Sequence, residues 1–125
     1  MSEIYTTGRW KPGAGKEDAF VEAWARFAAW ASGLPGAGTL RLTRDLRDAG
    51  VFVSFGRWGT IDAVRAWKSA PDFRERLARV LQHVDEFEPT ELELVATARN
   101  GAAAAEPEAA AAEPGAAAAE PVHVP

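Results

Sequence analysis

The sequence contains no cysteine, so disulfides, thiolate chemistry and zinc or iron–sulfur centres held by cysteine are excluded. Histidine is scarce as well, since the chain has only His83 and His123. Because His123 lies in a C-terminal tail, a metal site that uses both histidines would require the tail to dock on the rest of the chain. We therefore predict no metal site. A Ser-His-Asp triad is not indicated either, because no nucleophile elbow accompanies the remaining histidine.

Long apolar stretches and an excess of basic residues are also missing. No stretch is apolar enough over its length to cross a bilayer, which predicts no membrane partner. The first residues lack the basic and apolar segments of a secretory signal, so we expect a cytoplasmic protein. All 14 lysines and arginines precede residue 100 and are balanced there by as many acidic residues. Since nucleic-acid binding depends on neutralising phosphates, we predict no nucleic-acid partner.

Phosphate-binding motifs are absent, whereas aromatic residues are abundant. Gly13 and Gly15 precede a helix, but neither the Lys-Ser/Thr pair of a phosphate loop nor a third glycine follows them. The chain has five Trp, six Phe and one Tyr. Many of them fall on faces directed between a predicted sheet and its helices. Such a chain can form an apolar pocket for a flat organic ligand.

Residues 51–81 are the most informative stretch. Residues 51–55 form a short apolar run between two glycines, which is typical of a strand. Both faces of this run are largely apolar, so we expect it to be covered on both sides. Thr60 is a candidate cap for the helix that follows, and residues 69–72 resemble the start of a second helix.

Three tryptophans need an interpretation as core or pocket residues. Trp58 ends the predicted strand and is interpreted as a packing residue. Trp67 ends the short helix after it, and both interpretations stay open for this side chain. Trp30 lies beside the apolar stripe of the first helix, where it either fills the edge of the core or lines a pocket.

The remaining elements complete an α+β pattern. Alternation of apolar and polar residues predicts strands at residues 3–10, 39–46 and 90–97. Helical spacing over residues 16–32 places on one face Phe20, Ala23, Trp24, Phe27, Ala28 and Ala31. A second helical stripe continues to Val84, and Pro89 is interpreted as a break before the last strand. The order β-α-β-β-α-β predicts a ferredoxin-like fold, a four-stranded antiparallel sheet with helices on one face.

A sheet covered by helices on one face leaves its other face open. The central strand carries apolar residues on that face too, and an exposed apolar patch of this kind marks an interaction surface. We therefore expect a homodimer formed through the open face.

The composition changes abruptly at residue 100. We assign residues 1–100 to one folded domain and residues 101–125 to a tail, in which AAAAEP occurs three times at a spacing of seven. Each repeat has no large apolar side chain to bury and contains a proline that interrupts a helix. We predict that the tail is disordered and serves to solvate or tether the domain.

Several motifs occur together in the folded part. They are Trp10-Lys11-Pro12-Gly13, the helix with Phe20 and Trp24, Pro35-Gly36, the strand FVSFGRW with eight residues between it and Trp67, and Ser69-Ala70-Pro71-Asp72-Phe73. In this combination the chain resembles the antibiotic biosynthesis monooxygenase (ABM) family over about residues 3–97. The resemblance implies a dimeric α+β barrel, in which the sheets of two ferredoxin-like protomers face each other. Each protomer then has a pocket between its sheet and its helices.

The resemblance also implies a range of functions. Members oxidise polycyclic aromatic polyketides without a cofactor, degrade haem or act on signalling molecules. Trp67 occupies the position of the tryptophan that lines the family's pocket. The haem-degrading branch has a histidine at the position of Leu77 and an asparagine at that of Thr6, so haem degradation is disfavoured.

We therefore predict a monooxygenase that oxidises an aromatic polyketide or quinol, in secondary metabolism, without metal, flavin or other cofactor. The alternative is a non-catalytic small-molecule-binding or structural protein on the same fold. The residues predicted to be catalytic are Trp67, Thr6 and Ser54. Those predicted to bind substrate are Trp67, Tyr5, Trp30, Phe27, Phe73, Arg41 and Leu77. His83 is a further candidate for a polar partner of the substrate.

Overall fold

The computed structural model describes residues 3–105. Its elements, in chain order, are β1 (Ile4–Pro12), α1 (Glu17–Ser32), β2 (Ala37–Arg44), β3 (Phe52–Trp58), α2 (Ile61–Ser69), α3 (Phe73–Leu81), β4 (Val84–Glu93), β5 (Ala96–Arg99) and β6 (Ala102–Ala105). One sheet has the strand order β2-β3-β1-β4, with every neighbouring pair antiparallel. The predicted α+β, ferredoxin-like fold is confirmed, with its second helix divided into α2 and α3. Within residues 3–105, no helix is long and apolar enough to cross a membrane.

α1 packs on the sheet through the stripe that its spacing predicts. All six predicted stripe residues are buried: Phe20, Ala23, Trp24, Phe27, Ala28 and Ala31. The ring of Phe20 lies between Trp10 of β1 and Phe52 of β3, with centroid separations of 5.4 and 5.2 Å. Because burial of one such side chain contributes about 1.5–3 kcal/mol, this contact fixes α1 over the two central strands.

β3 covers the predicted strand FVSFGRW and ends at Trp58, because its alternation continues beyond the apolar run of residues 51–55. Its even-numbered residues are buried on the side of the helices, and its odd-numbered residues point to the opposite side of the sheet. We call this opposite side the outer face. Phe55 on the outer face is 43% exposed. The sequence predicts that β3 is covered on both sides. In a single chain, only its helix side is fully covered.

We expect the full chain to sediment as a homodimer at micromolar concentration, because a second copy would cover the outer face. This face carries Phe55 and Leu92, which are 43% and 48% exposed. Phe55→Glu should give a monomer. Val21→Glu should remain a dimer, since Val21 is similarly exposed at 37% but lies on α1, on the other side of the sheet. A native chain that sediments as a monomer would contradict the prediction.

The boundary between α3 and β4 differs from the prediction. The helical spacing predicts Val84 at the end of a helical stripe, but α3 ends at Leu81 and Val84 begins β4. The pairing of β1 with β4 shifts register at its far end, so that Val84 and Phe87, three residues apart, both pack against the core. A bulged strand thus imitates helical spacing. Pro89 lies within β4 and does not break it, because an edge strand supplies ladder hydrogen bonds on one side only.

A short hairpin extends the described structure beyond the predicted domain boundary at residue 100. β5 and β6 pair antiparallel around Asn100 and Gly101, which have φ angles of 53° and 83°. An Asn-Gly pair with two positive φ angles is the preferred two-residue hairpin turn. Residues 102–105, assigned from the sequence to a disordered tail, therefore form a strand. The rest of that tail lies outside the described residues.

Candidate functional site

A cavity of about 170 Å³ lies between the helices and the covered face of the sheet. α1, α2 and α3 contribute large apolar walls, and the sheet contributes the floor. Six of the predicted site residues line it: Thr6, Phe27, Ser54, Trp67, Phe73 and Leu77. Their roles toward a ligand remain predictions, but the fold brings all six to one space.

Trp67 forms an aromatic wall of the cavity. Its ring stacks on Trp58, with a centroid separation of 4.7 Å and an interplanar angle of 23°. Phe73 meets the same ring edge-on at 5.2 Å, and Phe27 lies 5.8 Å away. α2 begins at Thr60, whose hydroxyl accepts a hydrogen bond from the Ala63 backbone N–H, as its predicted capping role requires. The indole N–H of Trp67 is buried and has no acceptor among residues 3–105.

Two buried hydroxyl groups lie on the sheet side of the cavity, and each accepts a hydrogen bond from an indole. Trp58 Nε1 donates to Thr6 Oγ1 at 3.1 Å, and Trp10 Nε1 donates to Ser54 Oγ at 2.9 Å. An indole N–H can only donate, so each hydroxyl oxygen must act as the acceptor in its pair. Each hydroxyl hydrogen is then left to donate elsewhere. Among residues 3–105, neither has an acceptor.

The polar side chains that face the cavity can all donate hydrogen bonds. Among the described residues they belong to Thr6, Ser54 and Lys68, and none of these is a carboxylate or an imidazole. Thr7 also borders the cavity, but it pairs with Phe55 and its side chain points to the outer face. Lys68 Nζ lies 2.8 Å from Glu91 Oε2. Glu91 is the partner of Thr6 across the β1–β4 ladder. The cavity is therefore suited to a ligand that accepts hydrogen bonds, and Glu91, outside the lining, is already engaged by an ammonium group.

Tyr5 and Arg41, predicted to bind substrate, lie on the outer face and not at the cavity. Successive residues of a strand point to opposite faces, so Tyr5 faces away from its neighbour Thr6, and Arg41 lies beside Phe55. The Tyr5 hydroxyl donates to Glu3 Oε1 at 3.0 Å. Together with the stronger hydrogen bond from Arg57, this contact holds the pKa of the Glu3 carboxyl below its ordinary value.

Trp30 and His83 also lie outside the cavity lining. The ring centroids of Trp30 and Phe27 are 5.9 Å apart, and the guanidinium carbon of Arg76 lies over the Trp30 ring, 4.8 Å from its centroid. It thus occupies the edge of the core, one of its two predicted positions. His83 borders a separate cleft between α1 and α3, lined by Arg26, Arg76 and Arg79 among others.

Lys68 and Trp10 are among the site residues that escaped the sequence prediction. Lys68 gives no signal beyond its place next to Trp67. Trp10 does give one, because Thr6–Trp10 reads TTGRW and Ser54–Trp58 reads SFGRW. The same spacing of hydroxyl, glycine and tryptophan occurs on two strands that pair with each other.

The antibiotic biosynthesis monooxygenase family model matches residues 4–79, more than half of the chain. The chain belongs to this family. The match runs from β1 into α3 and so includes Thr6, Ser54 and Trp67. Membership supports a monooxygenase-like function at the level of the family and does not name a substrate.

Solved structures show the same fold at low sequence identity. SnoaB of Streptomyces nogalater, a cofactor-independent oxygenase, is 23% identical with a TM-score of 0.67, over 80% of this chain and 96% of SnoaB. Rv0793 of Mycobacterium tuberculosis is 17% identical with a TM-score of 0.64, over 73% of this chain and 93% of its own. PA3566 of Pseudomonas aeruginosa is 15% identical with a TM-score of 0.64, over 74% and 94%. No curated protein matches the chain.

Proposed function

We propose that this protein is a monooxygenase that oxidises an oxygen-bearing aromatic small molecule without metal or flavin. The observation that carries the proposal is the pair of hydroxyl donors, Thr6 and Ser54, in an aromatic cavity of a member of the ABM family. The ring of the substrate would pack against Trp67 and Phe73. Oxygen atoms on the ring would accept hydrogen bonds from the hydroxyl groups of Thr6 and Ser54.

The chemistry fits a substrate that reacts as its anion. A deprotonated anthrone or quinol gives one electron to dioxygen, and the resulting radical and superoxide combine through a new C–O bond to a peroxide. Loss of water then leaves a quinone from an anthrone or a hydroxyquinone from a quinol, so that one oxygen atom enters the product and the other leaves as water. Donors that stabilise the anion and walls that exclude water would favour these steps. The lining residues hold no carboxylate or imidazole, so the substrate would lose its proton to solvent before it enters.

The size of the cavity limits the substrate. A cavity of roughly 150 Å³ can hold one benzene ring, and this one measures about 170 Å³. We therefore propose that one oxidised ring is held within the cavity, while further fused rings of a polyketide extend through its mouth.

The proposal predicts oxygen uptake with anthrone in buffer that contains a chelator and no flavin. Uptake should exceed the rate without protein and consume one dioxygen per anthrone. Thr6→Val should slow it, because the variant keeps the shape of the side chain and loses the donor. The matched control Thr39→Val should not, since Thr39 is exposed on β2. Turnover that appears only after flavin or iron is added would contradict the proposal.

A second candidate is a non-catalytic protein that binds aromatic small molecules. It is favoured by the lack of a carboxylate or imidazole among the described residues that line the cavity. Anthrone-type ligands that bind with native affinity but cause no oxygen uptake above background would favour this candidate over the monooxygenase.

A further inference from the structure

The central strands of the sheet carry one structural unit twice. In β1 the unit is Thr6, Gly8 and Trp10, and in β3 it is Ser54, Gly56 and Trp58, with the same spacing. The strands are antiparallel and in register, so that Thr6 lies opposite Gly56 and Gly8 lies opposite Ser54. A local twofold axis thus relates the two units. Each indole runs along its own strand, over its own glycine, and donates to the hydroxyl of the other strand.

The two glycines leave the space in which these hydrogen bonds form. A Cβ atom on Gly56 would lie 2.7 Å from Thr6 Oγ1 and 3.1 Å from Trp58 Nε1. A Cβ atom on Gly8 would lie 2.8 Å from Trp10 Nε1 and 3.0 Å from Ser54 Oγ. No other residue type leaves room for an indole and a hydroxyl at these places. All four small residues line the cavity, so two glycines and two hydroxyl groups form its floor.

The arrangement separates the two donors. Thr6 and Ser54 occupy diagonal positions of the antiparallel pair, and the backbones at such positions are about 7–8 Å apart. Each hydroxyl oxygen is occupied by an indole donor, and each hydroxyl hydrogen is available to a ligand. Donors at this separation serve two acceptor atoms of one ring better than a single atom, since an O–H···O bond spans only about 2.7–2.8 Å.

We propose that the duplicated unit selects aromatic ligands with two oxygen acceptors over ligands with one or none. Trp10 and Trp58 are positioning residues, which hold Ser54 and Thr6 as donors toward the cavity. The ligand class is therefore a ring that bears two oxygen atoms, such as a quinol anion as substrate or a quinone as product. This inference deepens the proposed function, because it concerns the same cavity, but its test measures binding and not oxidation.

The test uses three neutral probes of equal length: para-diethylbenzene, para-ethylanisole and para-dimethoxybenzene. They differ only in the exchange of none, one or two methylene groups for oxygen. In an apolar cavity without donors, affinity falls as oxygen replaces carbon. In the native chain we expect the reverse order by calorimetric titration, with roughly a 2- to 10-fold gain for each oxygen, the range of one net hydrogen bond. Failure of all three probes to bind, or tightest binding of para-diethylbenzene, would overturn the inference.

Variants separate selection from general packing. Thr6→Val and Ser54→Ala should each remove the gain for one oxygen, and the double variant should restore the apolar order. Thr39→Val, on the exposed strand β2, should keep the native ratios. Trp58→Phe and Trp10→Phe should reduce the preference for the dimethoxy probe over the diethyl probe. A hydroxyl that has lost its indole donor can rotate away from the ligand. If these ratios stay native while all affinities change together, the tryptophans are only packing residues and their positioning role is refuted.

The outcome is independent of the reaction. Native selectivity without oxygen uptake would refute the monooxygenase and leave the selection of two acceptors standing. Oxygen uptake together with tightest binding of para-diethylbenzene would support the monooxygenase and refute the selection of two acceptors.

Discussion

Replacing Trp67 with alanine is expected to destabilise the fold by about 3–5 kcal/mol, whereas Trp67→Phe should change stability little and weaken ligand binding. Trp67 is 7% exposed and contacts Trp58, Phe27 and Phe73, so truncation leaves a large void. Phenylalanine fills part of that space and removes a buried N–H that has no acceptor among residues 3–105. Relief of that unsatisfied donor, worth about 1–3 kcal/mol, offsets the lost contact area.

The effect of Trp67→Phe on binding follows from its place in the cavity wall. A flat ligand loses part of a stacking surface worth about 0.5–1.5 kcal/mol, which weakens affinity roughly 2- to 10-fold. Thermal unfolding and titration with anthrone would measure the two effects. Trp58→Phe is the control for stability, because Trp58 is fully buried and its N–H has a partner, so stability should fall by about 1 kcal/mol. A Trp67→Phe variant that melts early and binds normally would make Trp67 a core residue only.

Gly56→Ala is expected to destabilise the protein by about 1–3 kcal/mol, although it adds a single methyl group. The new carbon would lie 2.7 Å from Thr6 Oγ1 and 3.2 Å from Leu40 Cγ. Either the Thr6–Trp58 hydrogen bond breaks, or β2 and β3 move apart. In a domain of this size, each kcal/mol lowers the melting temperature by roughly 4–8 °C, which thermal unfolding resolves easily.

Gly50→Ala is the matched control for this prediction. Gly50 ends the turn before β3, and a Cβ atom there would meet only Asp48 Oδ1, at the ordinary distance of 3.5 Å. Its melting temperature should stay close to that of the native chain. Equal melting temperatures for Gly56→Ala and the native chain would contradict the prediction, because they would show that the cavity floor accommodates a Cβ atom at Gly56.

Local periodicity was sufficient for much of the fold. The stripe of α1 and the hairpin of β2 and β3 follow from contacts between residues close in sequence, and spacing alone predicts them. The failures have local causes as well. The sequence predicts a helix at Val84 because a bulge gives its strand a spacing of three, and it predicts a break at Pro89 because the edge position of β4 is not visible in the sequence.

For the candidate site, the aromatic content of the sequence by itself determined that the pocket has an aromatic wall. The resemblance to the ABM family placed Trp67 in that wall. Which polar groups join that wall was decided by tertiary structure. Tyr5 and Thr6 are neighbours in the chain, yet strand pairing puts Thr6 at the cavity and Tyr5 on the outer face. The hydrogen bonds that orient Thr6 and Ser54 join residues 52 and 44 positions apart. Such contacts depend on register, because a shift of one residue would turn every side chain of a strand to the other face.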